Sequence, residues 1–426
     1  MALVNDKNIS DNNRHVVFIG LVWPEPRSSA AGQRMNELLR LFAANGFLIT
    51  FCSAAQATEY SELPQEIEIN RAEIKLNDTS FDAWIAKQNP NIVVFDRFIT
   101  EEQFGWRVAR YAPDALRILD TEDLHFLREA RRISLSSHPT KNDDALLNPI
   151  TLRELAAIYR CDLSIVISEA ERDILLTHFQ IPAQLIYTLG FLRNSISTHN
   201  TDQPSYAHRN GFVFIGNFMH APNKDAVYWI KEKIWPLIRK KLNTAEIFVY
   251  GAYMKNSDLL LNRPNEGFNV MGRADDAVET LSQARVLLAP LRFGAGLKGK
   301  CIDAMQAGTP SITSTIGAEG LIESGAQWCG FVVDEPEAIA SYAIQLYESE
   351  VLWLEKQRRG FELFNNLFSS KQSAVDFIAH VNHLIVTLSN HRKQNLIGTM
   401  LQHHSMQSTY YMAKWIEEKN KSTVPR

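Results

Sequence analysis

The sequence predicts an α/β fold built from two doubly wound, mainly parallel sheets that face each other across a cleft. The chain has 426 residues, too many for one small hydrophobic core. Short β-branched runs alternate with amphipathic stretches, a pattern typical of parallel strands covered by helices on both faces. The pattern restarts after the turn-rich stretch 197–210, and this restart indicates a second sheet.

The predicted strands end in small or polar residues, and helix-like stretches such as Gln33 to Asn45 follow them. In the first half they are His15 to Gly20, Leu48 to Ser53, Ile92 to Arg97, Leu116 to Thr121, Leu163 to Ser168 and Gln184 to Thr188. In the second half they are Gly211 to Gly216, Glu246 to Gly251, Phe268 to Gly272, Val286 to Pro290, Ser311 to Thr315 and Phe331 to Asp334. Ligands of such sheets collect at the carboxyl ends of the strands, so we expect the site in the cleft between the domains.

The chain divides into an N-terminal domain, 1–205, a second domain, 206–385, and a C-terminal helix and tail, 386–426. The polar segment Arg131 to Asp144 predicts a mobile loop between helices.

The composition excludes some classes of function. The chain has 44 Lys plus Arg and 48 Asp plus Glu, so its net charge of −4 provides no general field for nucleic acid. The N-terminus lacks a signal-peptide pattern and the four cysteines show no C-x-x-C spacing, which predicts a cytoplasmic protein. The sequence contains no apolar run of about 18 residues, so we expect no membrane-spanning helix. Peripheral contact with a membrane remains an alternative.

The most informative segment is a glycine-rich turn between a buried strand and a helix, residues 294–300 (GAGLKGK). Gly294, Gly296 and Gly299 allow close backbone approach, and the backbone at Ala295 and Leu297 completes the turn. The following helix N-terminus presents free N–H groups, and Lys298 and Lys300 add positive charge, so the turn suits a phosphate or diphosphate. The alternative is a tight structural turn with solvated lysines.

The same turn is a formal G-x-G-x-x-G match, with Glu319 about 20 residues on, as in a dinucleotide-binding fingerprint. Its location late in the second domain weighs against that interpretation. An NAD(P)-dependent oxidoreductase therefore remains an alternative.

The run GAGLKGKCIDAMQAGTPSITSTIGAEGL resembles the G-x-G-T-x-x-K-x-x-E-A-M-A-x-G-x-P-V-V-x-T signature of glycosyltransferase family 4 (glycosyl transferases group 1). The stretches FVFIGNFMHAPNKDAVYWIKEKIWPLI, WPEPRSSAAGQRMNELLRLFAANG and CDLSIVISEAERDIL resemble further elements of that family. The resemblance implies the GT-B fold, in which two Rossmann-like domains face each other. The second domain would bind a nucleotide-sugar and the first the acceptor, with the tail returning across the first domain.

The resemblance also implies donor-binding positions. Asp303 stands at the second glutamate of the family's E-x7-E motif, a carboxylate that contacts the donor ribose, and Ala295 stands at the first, which this chain lacks. Asn217 occupies the place of a family arginine. The remaining donor positions implied are Gly32 in the first loop and Gly272 with Arg273 at the nucleotide base.

Polar residues of the first loop and at the ends of two later strands of the first domain are candidates for the acceptor side and for catalysis. They are Arg34, Asp96, Arg97 and Glu122, together with His125, the candidate for a histidine that family members carry near the transferred sugar. A histidine beside carboxylates is held protonated and could stabilise charge on a departing phosphate. The alternatives are an acidic helix cap at 121–123 and a structural ion pair at 96–97.

These observations favour a glycosyltransferase that moves a sugar from a nucleotide-sugar to an acceptor hydroxyl, with catalytic roles for His125, Lys298 and Asp303. No D-x-D triplet occurs, so we expect neither a metal nor a cofactor, and the resemblance favours retention of anomeric configuration. The acceptor, a glycan, a lipid-linked intermediate or a protein, and the oligomeric state stay open. A second alternative is a catalytically weak binding protein, because the first glutamate is missing.

Overall fold

The computed structural model describes residues 14–136, 145–197, 203–322, 326–368 and 371–422. These residues form two parallel-sheet α/β domains, as the sequence predicts. The first sheet has seven strands in the order β3-β2-β1-β4-β5-β6-β7, and the second has six in the order β10-β9-β8-β11-β12-β13. All strand pairs of both sheets are parallel.

The strands of the first sheet are β1 His15–Gly20, β2 Leu48–Ser53, β3 Ile69–Glu73, β4 Ile92–Asp96, β5 Leu116–Asp120, β6 Leu163–Val166 and β7 Ile186–Thr188. Those of the second are β8 Phe212–Ile215, β9 Ile247–Tyr250, β10 Phe268–Gly272, β11 Val286–Ala289, β12 Ser311–Thr313 and β13 Gly330–Val332. The sequence patterns missed β3, because it is an edge strand with mostly exposed, polar residues and carries no apolar signal.

The helices of the first domain are α1 Ala30–Ala44, α2 Ser80–Gln88, α3 Arg97–Tyr111, α4 His125–Ser136, α5 Pro149–Arg160 and α6 Glu169–Asp173, which a π-turn, Ile174–His178, extends. Those of the second are α7 Ala221–Trp229, α8 Trp235–Lys241, α9 Asn256–Leu259, α10 Ala277–Gln283, α11 Gly299–Gln306, α12 Thr315–Ala318, α13 Pro336–Glu348 and α14 Glu350–Phe368. The predicted loop Arg131 to Asp144 is wrong for its first part, because α4 continues to Ser136; residues 137–144 lie outside the described residues.

Two C-terminal helices, α15 Lys371–Gln394 and α16 Leu396–Ser422, pack on the first domain. In α15, Phe377 joins the apolar cluster beneath the first sheet, with its ring centroid 6.2 Å from that of Phe42. The segment 371–385, which the sequence assigned to the second domain, therefore packs against the first. In α16, Glu417 pairs with the buried Arg107 at 2.5 Å.

Candidate functional site

The glycine-rich turn 294–300 follows β11 and lies directly against the first domain. Gly294 and Gly296 have positive φ angles of 147° and 68°. A Cβ atom at Gly296 would lie 2.8 Å from Cβ of Asp123, and one at Gly299 would lie 2.7 Å from Cβ of Ala30. The glycines are therefore needed at least in part because the two domains approach each other here.

Two first-domain side chains hold this turn. Arg131 of α4 donates to the carbonyl oxygen of Gly294 at 2.7 Å and forms a two-pronged ion pair with Glu319 of the second domain. Glu171 of α6 accepts a hydrogen bond from the Gly296 N–H at 2.7 Å and another from the Leu124 N–H at 3.0 Å. Burial raises the pKa of Glu171 to about 7. The sequence patterns did not single out Arg131, whereas Glu171 is the last residue matched in the family-like stretch CDLSIVISEAERDIL, for which no role was predicted.

The lysines of the turn are less exposed than expected. Lys298 is buried and its Nζ donates to the carbonyl oxygen of Gly296 at 2.6 Å. Lys300 Nζ donates to Asn223 Oδ1 at 2.5 Å and lies 5.2 Å from the ring centroid of Phe214. Burial lowers the pKa of both, that of Lys300 to about 8. The alternative of solvated lysines is therefore wrong, and both cations gain from an anion at the turn.

The remaining residues of the turn provide backbone only. Ala295 is buried and packs with the apolar core of the first domain, which leaves little room for a longer side chain at this position. Leu297 lies against the first domain: the distance from its Cδ1 to the position that a Cβ atom would take at Gly190 is 3.8 Å.

Asp303 lies on α11, one turn into the helix, and is largely buried. Arg193, in the chain that leaves the first domain, approaches Asp303 Oδ1 at 3.3 Å and also contacts Glu37 at 2.9 Å. Burial raises the pKa of Asp303 to about 6, although the Arg193 cation opposes that shift. The carboxylate thus faces the first domain, where a ligand in the cleft would pass.

The carboxyl ends of β4 and β5 bring Asp96, Arg97 and Glu122 together. Arg97 and Glu122 have φ angles of 68° and 64°, left-handed values that are unfavourable for side chains of this kind. Arg97 Nε lies 3.5 Å from Asp96 Oδ1, so the pair predicted as a structural alternative is present but long. Burial raises the pKa of Asp96, and it raises that of Glu122 well above its usual range, where nearby Asp120 adds to the shift.

His125 begins α4 and lies among carboxylates. Its Nδ1 is 3.3 Å from Asp123 Oδ1 and 3.4 Å from Glu154 Oε1. Burial opposes protonation of His125, but these carboxylates outweigh it and raise the pKa. The His125 N–H donates to Glu154 Oε1 at 3.1 Å and the Phe126 N–H to Oε2 at 2.9 Å, so these two N–H groups are capped by Glu154 and not by a side chain of 121–123. Asp123 nevertheless lies beside the helix N-terminus, as the predicted interaction with the helix dipole requires.

Arg34 does not offer a free guanidinium to the acceptor side. It is 1% exposed, and its Nε and one terminal nitrogen donate to Asp120. The other terminal nitrogen donates to the carbonyl oxygens of Leu189 and Gly190 at 2.8 and 3.0 Å. These N–H donors of the guanidinium already have partners within the protein, so Arg34 joins the ends of strands β5 and β7 rather than contacting a ligand.

Gly32 and Asn217 also serve local structure. A Cβ atom on Gly32 would lie 2.5 Å from the backbone of Glu25, and the Gly32 N–H caps α1 through Ser29 Oγ at 3.0 Å. Asn217 Oδ1 accepts from the Met219 N–H at 2.8 Å, which closes a turn after β8. Contact of Gly32 and Asn217 with the donor stays a prediction.

Gly272 and Arg273 lie at the end of β10, beside the first domain. Gly272 has a φ of 81° and no atom within 4 Å of the position of a Cβ, so the space on that side of its backbone is open, while its carbonyl oxygen accepts from the Gly251 N–H at 2.7 Å. Arg273 Nε donates to Ser28 Oγ at 3.2 Å, and its guanidinium lies 4.6 Å from the ring centroid of Tyr60. This end of the cleft is lined by aromatic and guanidinium groups.

Among the residues that the structure describes, no group of three or more His, Cys, Asp or Glu side chains could hold a metal ion. No helix within those ranges is long and apolar enough to cross a membrane.

Comparisons with protein families and solved structures relate this chain to glycosyl transferases. Residues 209–349 match the family model described as glycosyl transferases group 1. No curated protein matches the sequence. A point mutant of S. aureus TarM, solved with fondaparinux, alpha-GlcNAc-glycerol and UDP, is 17% identical with a TM-score of 0.52, over 68% of this chain and 55% of that chain.

Two further structures align over almost their whole length. Sucrose-phosphate synthase from Thermosynechococcus elongatus is 14% identical, with a TM-score of 0.62, over 88% of this chain and 100% of that chain. The pneumococcal O-GlcNAc transferase GtfA, in complex with UDP and GlcNAc, is 12% identical, with a TM-score of 0.64, over 88% of this chain and 99% of that chain. The fold is therefore GT-B, and the second domain carries the match to group 1 glycosyl transferases.

Proposed function

We propose that this chain is a glycosyltransferase that moves a sugar from a nucleotide-sugar to an acceptor hydroxyl, with retention and without a metal. The observation that carries the proposal is the turn 294–300. It lies inside the segment that matches the group 1 family model, and it brings the buried Lys298, the half-buried Lys300 and the N-terminus of α11 to the domain contact. The neighbouring structures contain UDP and sugars, which supports a nucleotide-sugar as donor.

In this proposal the second domain binds the donor. Lys298, Lys300 and the N-terminus of α11 neutralise the diphosphate, whose charge increases as the glycosidic bond breaks. Asp303 accepts hydrogen bonds from the ribose hydroxyls, and Gly272 with Arg273 contacts the base. Burial disfavours the charged forms of both lysines and lowers their pKa, so a bound anion would stabilise them.

The first domain would bind the acceptor, and Asp96, Arg97 and Glu122 lie where an acceptor hydroxyl would approach. The bond between the anomeric carbon and the phosphate oxygen breaks as the acceptor oxygen attacks from the same face. The proton of the acceptor passes to the departing phosphate oxygen. His125, held as a cation by Asp123 and Glu154, would stabilise the charge that develops there.

The dinucleotide alternative is less favoured by this geometry. Glu319, the acidic residue which that interpretation needs for a ribose, is paired with Arg131. The turn also follows β11, whereas the fingerprint of a dinucleotide-binding domain follows its first strand, here β8.

A nucleotide-release screen with UDP-, GDP- and ADP-sugars against oligosaccharide, lipid-linked and peptide acceptors tests the proposal. We expect acceptor-dependent release of one nucleotide, with a product of retained configuration by proton NMR, in the presence of a chelator. A change in NAD(P)H fluorescence on binding, with no calorimetric heat from nucleotide-sugars, would support the oxidoreductase instead. Donor binding without release over the full acceptor set would favour the weak binding protein.

A further inference from the structure

The strongest unexplained feature of the cleft is the carboxylate of Glu171. Its side chain comes from the first domain and is 1% exposed. One oxygen, Oε1, accepts from both the Gly296 and Leu124 N–H groups. The other, Oε2, is buried and has no hydrogen-bond partner. A buried carboxylate oxygen without a donor loses its hydration and gains no hydrogen bond in return, so its retention needs an explanation.

The composition of the turn explains why a group from the other domain is needed there. Residues 294–297 are Gly, Ala, Gly and Leu, which present no polar side chain. Lys298 follows, but its Nζ is used by the carbonyl oxygen of Gly296. The side chains of residues 294–298 therefore offer no acceptor to a ligand hydroxyl, and the carboxylate that contacts this turn from the first domain is that of Glu171.

Glu171 is suited to that role by its surroundings. The charged groups that influence it most are Asp123, which follows β5, and Lys298 in the turn. Asp123 is already paired with Arg128 at 2.6 Å, so its carboxylate is occupied. Glu171 is thus the carboxylate bound to the turn that still has a free oxygen.

On the basis of the proposed function, we infer that Glu171 is a donor-specificity residue: its Oε2 accepts a hydrogen bond from a hydroxyl of the transferred sugar, while its Oε1 fixes the Gly296 amide. In the proposed function the turn binds the diphosphate, and the sugar attached to that diphosphate would then bring its hydroxyls towards Gly296 and Glu171. The site is completed only when both domains contribute, which couples sugar recognition to closure of the cleft.

The experiment compares binding of the bare nucleotide with binding of the nucleotide-sugar. Calorimetry with UDP and with UDP-glucose or UDP-GlcNAc, whichever the release screen selects, is run on the full chain near pH 8, above the pKa of about 7 of Glu171. If the screen selects another base, its nucleoside diphosphate replaces UDP. The variant is Glu171→Gln, which preserves shape and the acceptor for Gly296 but replaces Oε2 with an N–H donor.

We expect E171Q to bind the nucleotide within about twofold of the unaltered chain but the nucleotide-sugar about tenfold more weakly. The matched control is Glu319→Gln, another carboxylate at the domain contact, whose oxygens are both paired with Arg131. E319Q should weaken both ligands by one common factor.

The inference is overturned if E171Q, with a thermal midpoint near that of the unaltered chain, changes both affinities by the same factor or neither. That result would make Glu171 a structural contact between the domains. A second variant, Glu171→Asp, keeps the charge and is expected to give an intermediate loss of sugar affinity. If the unaltered chain binds no nucleotide-sugar, the proposed function fails first and the inference fails with it.

Discussion

Arg131 donates a 2.7 Å hydrogen bond to the carbonyl oxygen of Gly294, so a first-domain helix holds the glycine-rich turn of the second domain. The same guanidinium binds both oxygens of Glu319, which is 28% exposed at its side chain. Helix α4 therefore carries His125 at its first residue and a contact to the opposite domain at its seventh. Domain closure and placement of the candidate catalytic histidine are features of one rigid helix.

We expect Arg131→Lys to weaken closure, because lysine keeps the charge but cannot form the two-pronged contact. The partly exposed pair limits the loss to about 1 kcal/mol, or roughly fivefold in KM for the donor. Steady-state kinetics measure it, with Arg132→Lys as the control, because Arg132 forms an ion pair with Glu129 of the same helix. Equal KM values for R131K and the unaltered chain would contradict this prediction.

Asp303→Asn should lower nucleotide affinity about tenfold, because an amide cannot replace both acceptor oxygens of a carboxylate. Burial raises the pKa of Asp303 to about 6, so the acceptor is present above that pH and is lost as pH falls through it. Affinity for the nucleotide, measured by calorimetry between about pH 5 and 8, should fall at low pH in the unaltered chain. The dependence should be flatter in D303N and retained in Asp225→Asn, whose carboxylate pairs with Arg292.

Donor binding should take up a proton near pH 8. Burial lowers the pKa of Lys300 to about 8, so about half of its side chains are neutral at that pH, and a bound diphosphate favours the charged form. Calorimetric heats in buffers of different ionisation enthalpy report the uptake. It should disappear in Lys300→Met and near pH 6.5, where the amine is already charged. Identical heats in all buffers near pH 8 would exclude this role.

His125→Ala should reduce kcat by about a hundredfold, in the range of a single electrostatic contribution to the transition state. Asp123 and Glu154 outweigh the effect of burial and raise the pKa of His125, so kcat should fall as pH rises through that raised value. The pH profile of kcat measures this, and His208→Ala, an exposed histidine of the second domain, is the control. A loss in H125A confined to KM would assign His125 to binding instead.

Glu417→Ala should lower the free energy of unfolding by about 3 kcal/mol, because it leaves the buried guanidinium of Arg107 with only Asp82. Thermal or urea unfolding measures the loss. Glu355→Ala, which removes an exposed ion pair with Lys356, should change stability by less than about 0.5 kcal/mol. Similar unfolding curves for E417A and E355A would show that the contact of α16 contributes little.

The fold was predictable where burial leaves an apolar pattern. The central strands are buried along their length, and their β-branched runs reveal them, whereas the polar edge strand Ile69–Glu73 gives no such signal. The turn 294–300 was also predictable, because its glycines and lysines are adjacent in sequence. Its contact with the first domain was not, because Glu171 and Gly296 are 125 residues apart.

The role of Arg34 was predicted wrongly because it depends on a partner that is distant in sequence. An arginine in a glycine-containing loop suggests a ligand, but its partner Asp120 is 86 residues away, and no local pattern indicates that the two meet. Glu154, which caps the helix of His125 from α5, was hidden for the same reason. Long-range pairing decides which charged groups remain free for chemistry.

The return of α15 to the first sheet means that the chain passes between the domains twice, once between β7 and β8 and once between α14 and α15. Two covalent connections restrict the relative movement of two domains more than one connection does, because each limits how far its own attachment points can separate. If the cleft opens, the turn 294–300 and Glu171 would therefore separate within limits that both connections set.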